Sequence, residues 1–277
     1  MIPAPFDYVR AGSAEEAVAL LGEHGDDAKL LAGGMSLLPL MKLRLATPAV
    51  LVDVGRVRDL SYVRDGGDHV AVGALTRHRD LETSELLARE CPVLASVAAQ
   101  VGDPQVRHRG TIGGSVAHAD PASDLPATLL ALDATCVVRG PAGERELPAT
   151  ELFLGFLETA LAPDELLVEL RVPKIPGAGF SYQKFNRRAQ DWAMVGAVAV
   201  RNGATRVALV NMGTTPLRAR GVEEALAGGA SPAEAAERAA EGTEPSTDVN
   251  ASAEYREHLA RVLVRRALEA AGAGSGA

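Results

Sequence analysis

The 277-residue sequence has few of the residues that build metal centres or disulfides. It contains two cysteines, Cys91 and Cys136, so it does not supply the four thiolates that an iron–sulfur cluster needs. These two cysteines form no CxxC motif, and two buried thiols in a reducing cytoplasm are the simplest interpretation. No two histidines have metal-ligand spacing with a carboxylate, so no metal site is predicted.

Other scarcities exclude further classes of protein. Acidic residues outnumber basic ones by 36 to 28, and the formal net charge of −8 argues against binding to nucleic acid. No apolar run reaches about 18 residues without charge, Gly or Pro, so no membrane span is predicted. The N-terminus lacks the basic and apolar regions of a signal peptide, and we expect a cytoplasmic location. There is no Gly-x-Ser-x-Gly elbow and no Cys/His pair, so no catalytic side chain is predicted.

Two short Gly-Gly segments, residues 32–36 and 111–115, are the most informative feature that is present. Each is rich in small residues and contains a hydroxyl, in Ser36 and in Thr111. Glycine lets the backbone approach a ligand closely, and several N–H groups can then converge on an anion. One such segment is most often a plain tight turn, whereas two similar ones suggest a diphosphate held from two sides. The spacing matches neither a Walker loop nor a dinucleotide fingerprint.

The pattern of residues predicts alternating helices and strands at the start of the chain. Ser13 and Glu16 form a capping-box pattern for a helix that ends near Gly25. Short strands are predicted at residues 29–31 and 50–54, with a helix at 37–44 between them, which suggests a small α/β unit.

The rest of the chain has a different pattern. The predicted elements are strands at 69–73, 134–139 and 166–172, helices at 80–90 and 92–101, and a long irregular segment at 102–126. Near the C-terminus we predict antiparallel strands at 180–187, 193–200 and 206–210, a helix that starts at Ser231, and a long helix at 251–271. On this last helix Tyr255, Leu259, Val262, Leu263 and Ala267 form the apolar side.

Two long motifs resemble a known family. Residues 31–48, which begin Leu-Ala-Gly-Gly-Met-Ser, and residues 103–126, which contain Thr-Ile-Gly-Gly-Ser, are similar to the FAD-binding subunit of molybdenum hydroxylases. This is the family of xanthine dehydrogenase and aerobic carbon monoxide dehydrogenase. The resemblance extends over the whole chain.

The resemblance implies an α+β fold. Two subdomains would form an FAD-binding fold of the vanillyl-alcohol-oxidase (PCMH) type, at residues 1–55 and 56–175. A smaller C-terminal α+β domain of the CO dehydrogenase flavoprotein type would follow at 176–277.

The resemblance also implies a set of FAD-binding residues, with the two glycine segments on the pyrophosphate. These residues are Leu31, Ala32, Gly33, Gly34, Met35, Ser36, Leu37, Thr111, Ile112, Gly113, Gly114, Ser115, Asp124, Leu167, Lys184 and Trp192. Considered without the resemblance, Asp124 could also cap a turn, Lys184 could be a solvated lysine, and Trp192 could be a core or interface aromatic. Met35 stands where related chains often carry His or Gln, and Ser115 stands where many of them carry Asn.

Three functions are compatible with the sequence. In the first, suggested by the resemblance, the chain is an electron-transfer flavoprotein subunit. A molybdopterin-containing large subunit and a [2Fe–2S] small subunit would be its partners, in a dimer of heterotrimers, and NAD+, a quinone or oxygen would accept the electrons. The second is a stand-alone flavoenzyme acting on a small molecule, and the third is a non-redox nucleotide-binding or assembly module. The sequence leaves the substrate and the acceptor open.

Substitutions at the predicted site have expected effects. We expect valine at Gly33 or Gly114 to abolish FAD retention while leaving the fold largely intact. We expect Asp124→Ala to weaken FAD binding by about 1–3 kcal/mol, the value of a charged hydrogen bond.

Overall fold

The computed structural model describes residues 2–273 of the chain. The strands in chain order are β1 (Asp7–Arg10), β2 (Ala28–Leu31), β3 (Val50–Asp53), β4 (Val63–Asp65), β5 (His69–Gly73), β6 (Thr135–Gly140), β7 (Gly143–Pro148), β8 (Phe153–Gly155), β9 (Glu158–Thr159), β10 (Leu166–Pro173), β11 (Gly179–Phe185), β12 (Val195–Asn202), β13 (Ala204–Val210) and β14 (Leu217–Arg218). The helices are α1 (Ala14–His24), α2 (Leu37–Lys42), α3 (His78–Glu82), α4 (Glu85–Glu90), α5 (Pro92–Gln100), α6 (Pro104–Arg109), α7 (Ile112–His118), α8 (Asp124–Ala131), α9 (Ala149–Leu152), α10 (Arg220–Ala227), α11 (Pro232–Ala236) and α12 (Ala253–Gly272).

The N-terminal sheet is parallel and has the order β1-β3-β2. The Ser13 hydroxyl caps α1 by accepting the N–H of Glu16, and the Glu16 carboxylate accepts the N–H of Gly12. Gly25, with φ of 52°, ends this helix as predicted. Since parallel strands end at the same edge of a sheet, the chain leaves β2 at the edge where ligands usually bind α/β sheets.

The second sheet is antiparallel, with the order β4-β5-β10-β6-β7. Helices α5, α7 and α8 are packed around one apolar core that includes Val72, Leu94, Ile112 and Leu170. Strand β10 has a bulge between Leu167 and Glu169. This sheet and its helices hold the second glycine segment in a buried position.

The third sheet is antiparallel as predicted, with the order β11-β12-β13-β14. Helix α12 packs on β11 and β12, and α8 packs against β12 and β13. The capping box that was predicted at Ser231 is present, with Pro232 at the first position of α11. The C-terminal part of the chain is therefore joined to the second sheet through α8.

Several predictions of secondary structure were wrong. The helix predicted at 80–90 is two helices, α3 and α4, because the Ser84 hydroxyl accepts the N–H of Leu87 and starts a new helix. The segment 102–126 is largely helical, since Asp103 and Thr111 cap α6 and α7. On α12 the side chain of Tyr255 is 44 % exposed, and Arg256 is buried in its place.

Within residues 2–273, no helix has the length and apolar character needed to cross a membrane. In the same part of the chain, no three His, Cys, Asp or Glu side chains lie close enough to hold a metal ion.

Candidate functional site

The first glycine turn, residues 32–36, connects the end of β2 to the start of α2. Gly34 has φ of 75°, a left-handed conformation that residues with a Cβ rarely adopt. The N–H groups of Gly33, Gly34, Met35 and Ser36 donate to no acceptor among the described residues. The Ser36 hydroxyl does not cap α2. The turn thus presents four consecutive free donors, which is the arrangement that an anion can use.

The two glycine turns lie against each other. A Cβ on Gly33 would overlap the carbonyl oxygen of Arg109 and lie 2.9 Å from its carbonyl carbon. A Cβ on Gly114 would lie 4.0 Å from the Cβ of Ala32. The missing side chain of Gly33 therefore lets the first turn pack on the backbone that leads into the second. For this reason the structure predicts that Gly33→Val disturbs the fold, in contrast to the expectation from the sequence.

The second glycine turn, residues 111–115, is the capped first turn of α7. The Thr111 hydroxyl accepts the N–H of Gly114 at 3.2 Å. The N–H groups of Ile112 and Gly113 donate to the carbonyl oxygens of Thr76 and Ala74, at 3.0 and 2.8 Å. These N–H groups are already bonded within the chain, so the expected convergence of free N–H groups is found in the first turn but not in the second.

Among the side chains of the second turn, that of Ser115 remains available for a ligand. The hydroxyl of Ser115 makes no hydrogen bond to another described residue. Gly113 has a packing role, because a Cβ there would lie 2.5 Å from the Cβ of Ala74. A Cβ on Gly114 would meet only the Thr111 hydroxyl closely, at 2.8 Å, so a substitution at Gly114 disturbs the backbone less than one at Gly33 or Gly113.

Asp124, the first residue of α8, lies in a buried polar cluster with Tyr182 and Lys184 from β11. The Asp124 carboxylate accepts hydrogen bonds from the Tyr182 hydroxyl and from Lys184 Nζ, the latter at 2.8 Å. The side chains of Asp124 and Lys184 are both only 6 % exposed. Burial raises the pKa of Asp124, and the contacts with Lys184 and Tyr182 oppose this shift.

This cluster excludes one of the alternatives that the sequence left open for Lys184. Lys184 is not a solvated lysine, because it is buried and also donates to the carbonyl oxygen of Gln100 at 3.1 Å. Tyr182 was not among the predicted site residues. Its spacing of two from Lys184, which places both on the same face of β11, was the signal that would have found it.

The other predicted site residues lie around the glycine turns and the cluster of Asp124, Tyr182 and Lys184. Leu31 is the last residue of β2, and Leu37 is the first residue of α2. Met35 is 37 % exposed. Leu167 is buried at the bulge of β10, where the carbonyl oxygen of the adjacent Val168 accepts the N–H of Ala74. Leu167 is thus connected through Ala74 to the second turn.

Trp192 lies on the irregular segment 186–194 between β11 and β12, and its side chain is 55 % exposed. It is therefore not a core residue. It makes no hydrogen bond to another predicted site residue within the range 2–273. A cleft of about 310 Å³ lies beside the same segment and is lined by residues that include Gln100, Arg107, Lys184 and Gln190.

His78, which was not among the predicted site residues, lies directly behind the second turn. The backbone N–H of His78 donates to the carbonyl oxygen of Gly110 at 3.0 Å, and a Cβ on Gly110 would lie 2.9 Å from the imidazole ring of His78. His78 Nδ1 is buried without a hydrogen-bond partner in the described part of the chain. Burial, with a smaller effect of Arg107, lowers the pKa of His78 to about 4, so the ring is neutral at pH 7.

Comparisons with known proteins identify the family. Residues 4–175 match the family described as the FAD binding domain in molybdopterin dehydrogenase, and residues 180–271 match the CO dehydrogenase flavoprotein C-terminal domain. The carbon monoxide dehydrogenase medium chain of Hydrogenophaga pseudoflava is 44 % identical over 282 residues, covering 98 % of each chain. Subunit alpha of the 6-hydroxypseudooxynicotine dehydrogenase complex of Paenarthrobacter nicotinovorans is 41 % identical, covering 97 % of this chain and 95 % of that one.

A solved structure gives the same result. It is carbon monoxide dehydrogenase from Hydrogenophaga pseudoflava lacking the Mo-pyranopterin moiety of the molybdenum cofactor, and it superposes with a TM-score of 0.95 at 45 % identity, covering 99 % of each chain. The chain therefore belongs to the family of FAD-binding chains of molybdopterin dehydrogenases, which are oxidoreductases. The resemblance, the fold class and the FAD cofactor inferred from the two motifs are confirmed.

The residues present fit an FAD molecule. The first turn offers four free N–H groups to a diphosphate, and the buried pair of Asp124 and Lys184 offers one acceptor and one cation next to a cleft. Diphosphates are commonly bound by backbone N–H groups and cations, and flavin hydroxyls by carboxylates. The donors and acceptors are thus of the chemical types that the cofactor requires.

Proposed function

We propose that the chain is the FAD-binding electron-transfer subunit of a heteromeric molybdenum hydroxylase. In this function the chain would hold FAD between the [2Fe–2S] clusters of a partner and an electron acceptor, which would be NAD+, a quinone or oxygen. The observation that carries the proposal is the set of four unpartnered N–H groups at residues 33–36, in a chain of an FAD-binding family. When bound, FAD supplies the redox chemistry, and the protein supplies binding and orientation.

The first and second turns have different proposed roles in binding. The N–H groups of Gly33 to Ser36 bind the diphosphate, with contacts from Ala32, Leu31 and Leu37 beside them. The second turn forms the opposite wall, where Thr111, Gly114 and Ser115 contact the cofactor with side chains and Cα atoms. Ile112 and Gly113 support this wall through their bonds to Thr76 and Ala74.

The remaining predicted residues are proposed to hold the flavin half of FAD. Asp124 accepts hydrogen bonds from ribityl hydroxyls, and Lys184 keeps the buried carboxylate compensated and adds positive charge. Tyr182 holds the Asp124 carboxylate in a fixed orientation. Leu167 contributes backbone at the bulge of β10, and Trp192 covers the ring system from the segment 186–194.

The cysteine count supports a complex of several chains. Two cysteines, both buried, do not form an iron–sulfur cluster, so the clusters lie in a partner. We propose a molybdopterin-containing large subunit and a [2Fe–2S] small subunit as partners, in a dimer of heterotrimers. The relatives named above are a medium chain and a complex subunit, which supports this composition. The two buried free thiols favour a reducing compartment, and we propose the cytoplasm.

The boundaries 1–55, 56–175 and 176–277 stay proposals for the three units of the chain. The parallel sheet ends at Asp53, the second sheet at Pro173, and the third begins at Gly179, which favours these boundaries.

In this proposal a partner subunit, and not this chain, determines the substrate. Relatives of 44 % and 41 % identity are named for carbon monoxide and for 6-hydroxypseudooxynicotine, which favours the same view.

Hydrogen–deuterium exchange of the complex, with and without FAD, tests the proposal. We expect the amides of residues 33–36 to exchange at least about tenfold more slowly when FAD is bound, because free N–H groups then acquire acceptors. The amides of Ile112 and Gly113 are the internal control, since they are bonded in both states. Equal exchange at residues 33–36 in both states would contradict the proposed diphosphate site.

Purification of the chain from its native host tests the rest of the proposal. We expect co-purification of a molybdenum-containing chain and of a chain with [2Fe–2S] clusters. Turnover of an organic substrate by the isolated chain, without partners, would instead support a stand-alone flavoenzyme. Retention of a nucleotide that has no flavin absorbance would support the non-redox module.

A further inference from the structure

Asn211, at the end of β13, joins two segments that carry predicted flavin contacts. Its backbone N–H donates to the carbonyl oxygen of Pro121 at 2.8 Å. Its side-chain Nδ2 donates to the carbonyl oxygens of Ala193 and Met194, at 2.8 and 3.2 Å. Pro121 lies three residues before Asp124, and Ala193 is adjacent to Trp192. Asn211 is therefore bonded to both segments without touching either site residue.

The backbone conformation of Asn211 favours this arrangement. Its φ is 62°, in the left-handed region, which asparagine tolerates better than most residues. This conformation turns the chain out of β13 so that the backbone N–H and the side chain are directed to different segments. An asparagine at this position thus combines a tight turn with three hydrogen bonds.

Arg256 of α12 makes a second connection to the same segment. Its side chain is 2 % exposed, and it donates to the carbonyl oxygen of Met194 and to the carboxylate of Asp248, the latter at 2.8 Å. The Met194 N–H in turn donates to the carbonyl oxygen of Phe185 at 2.8 Å. The C-terminal end of the segment 186–194 is thus fixed by the partly buried side chain of Asn211, the buried side chain of Arg256 and one backbone bond.

The tryptophan itself has little to hold it in place. Trp192 is 55 % exposed, and its backbone N–H donates to the carboxylate of the neighbouring Asp191 at 3.0 Å, which does not hold the indole ring. The position of the ring consequently depends on the backbone at residues 193 and 194. That backbone is held by Asn211 and Arg256.

We propose that Asn211 is a positioning residue that fixes Trp192 and Asp124 relative to each other, and so sets the geometry in which the flavin ring is received. This inference rests on the proposed function for the roles of Trp192 and Asp124. It adds a residue of the C-terminal sheet, distant in sequence from both glycine turns, to the machinery of the site. Asn211 acts through hydrogen bonds to carbonyl groups and not by contact with the cofactor.

The single tryptophan makes the proposal testable without FAD. Trp192 is the only tryptophan in the chain. Tryptophan fluorescence, excited in the long-wavelength absorption band of the indole, therefore reports on the segment 186–194 alone. The variant Asn211→Asp has nearly the same shape and tolerance of positive φ, but it replaces the NH₂ donor with an acceptor that faces two carbonyl oxygens. The matched control is Asn202→Asp, at an exposed end of β12 where the asparagine side chain makes no hydrogen bond to a described residue.

In the purified full-length chain without FAD, we expect Asn211→Asp to increase acrylamide quenching of Trp192 about twofold and to lower its anisotropy, because the segment loses its anchors. Asn202→Asp should match the wild type in both measurements. Far-UV circular dichroism and the thermal midpoint establish that each variant is folded. Unchanged quenching and anisotropy in a folded Asn211→Asp variant would overturn the inference.

A second measurement, in the assembled complex, separates this inference from the proposed function. We expect Asn211→Asp to weaken FAD binding about tenfold and to shift the flavin reduction potential. The reason is that Trp192 and Asp124, once displaced relative to each other, no longer match the shape of the flavin. A wild-type complex that binds no FAD would refute the proposed function. A wild-type complex that binds FAD, with an Asn211→Asp complex of equal affinity and potential, would refute only the role of Asn211.

Discussion

The two glycine turns have similar sequences but opposite hydrogen-bonding states. Residues 33–36 leave four N–H groups free, while Ile112, Gly113 and Gly114 use theirs on Thr76, Ala74 and Thr111. The first turn follows a short parallel strand and is half-buried, whereas the second opens a helix inside a large apolar core. The difference teaches that similar glycine motifs can have different hydrogen-bonding roles: the first turn presents free donors, and the second turn is bonded to the chain around it.

The buried charge pair beside the second turn gives the largest expected effect. Asp124→Ala leaves the Lys184 ammonium buried without its carboxylate, and we expect a loss of about 3–5 kcal/mol in the free energy of unfolding. This loss comes in addition to the expected weakening of FAD binding, because the carboxylate is bonded inside the protein. Urea unfolding of the FAD-free chain measures the loss, with Asp124→Asn as the milder control. A loss confined to FAD affinity would mean that the cluster contributes nothing to stability.

The contact between the two turns comes next. Gly33→Ala introduces a Cβ that overlaps the Arg109 carbonyl oxygen, so the turns must separate, and we expect about 2–3 kcal/mol of destabilisation together with loss of FAD. Gly22→Ala on α1, where a Cβ would meet nothing within 4 Å, is the matched control. Retention of normal stability and full FAD occupancy in Gly33→Ala would show that the turns are not in contact.

His78, behind the second turn, predicts a pH effect. The pKa of His78 is about 4 in the folded chain and about 6.5 when unfolded, so below pH 6.5 the unfolded chain binds a proton that the folded chain does not. The neutral, buried His78 therefore leaves the free energy of unfolding undiminished above pH 6.5. As the pH falls from 6.5 to 4, this free energy decreases by about 2–3 kcal/mol. Urea unfolding at pH 7 and pH 5 should show a larger decrease for the wild type than for His78→Gln. Equal decreases would place the pKa of His78 near its ordinary value.

The cap of the second turn gives the smallest expected effect. Thr111→Val removes the hydroxyl that accepts the N–H of Gly114, and we expect about 1 kcal/mol of destabilisation. Ser13→Ala removes an equivalent cap from α1, far from the second turn, and should cost a similar amount. If the second turn is mainly a wall, FAD affinity should fall less in Thr111→Val than in Gly33→Ala. The reverse order would make the second turn the main binding element.

Features that depend on residues close in sequence were predicted well. The caps at Ser13 and Ser231, the helix end at Gly25 and the small α/β unit at the N-terminus follow from neighbouring residues, and the structure has them. Prediction failed at residues 102–126, where Gly, Asp and Pro suggested irregular backbone. There Asp103 and Thr111 act as caps, and the apolar residues of α7 are buried in the core, which outweighs the low helix propensity of glycine.

The sequence by itself determined the family and the cofactor and excluded an iron–sulfur cluster held by four cysteines of this chain, because two motifs and a count of cysteines are properties of the chain alone. The tertiary structure decided which glycine turn keeps its N–H groups free, since that depends on acceptors at Ala74 and Thr76, far away in sequence. It also decided that Tyr182 is bonded to Asp124 and that Asn211 is bonded to the segments that contain Pro121 and Ala193. Hydrogen bonds and burial depend on which segments meet in space, and that meeting is a property of the folded chain.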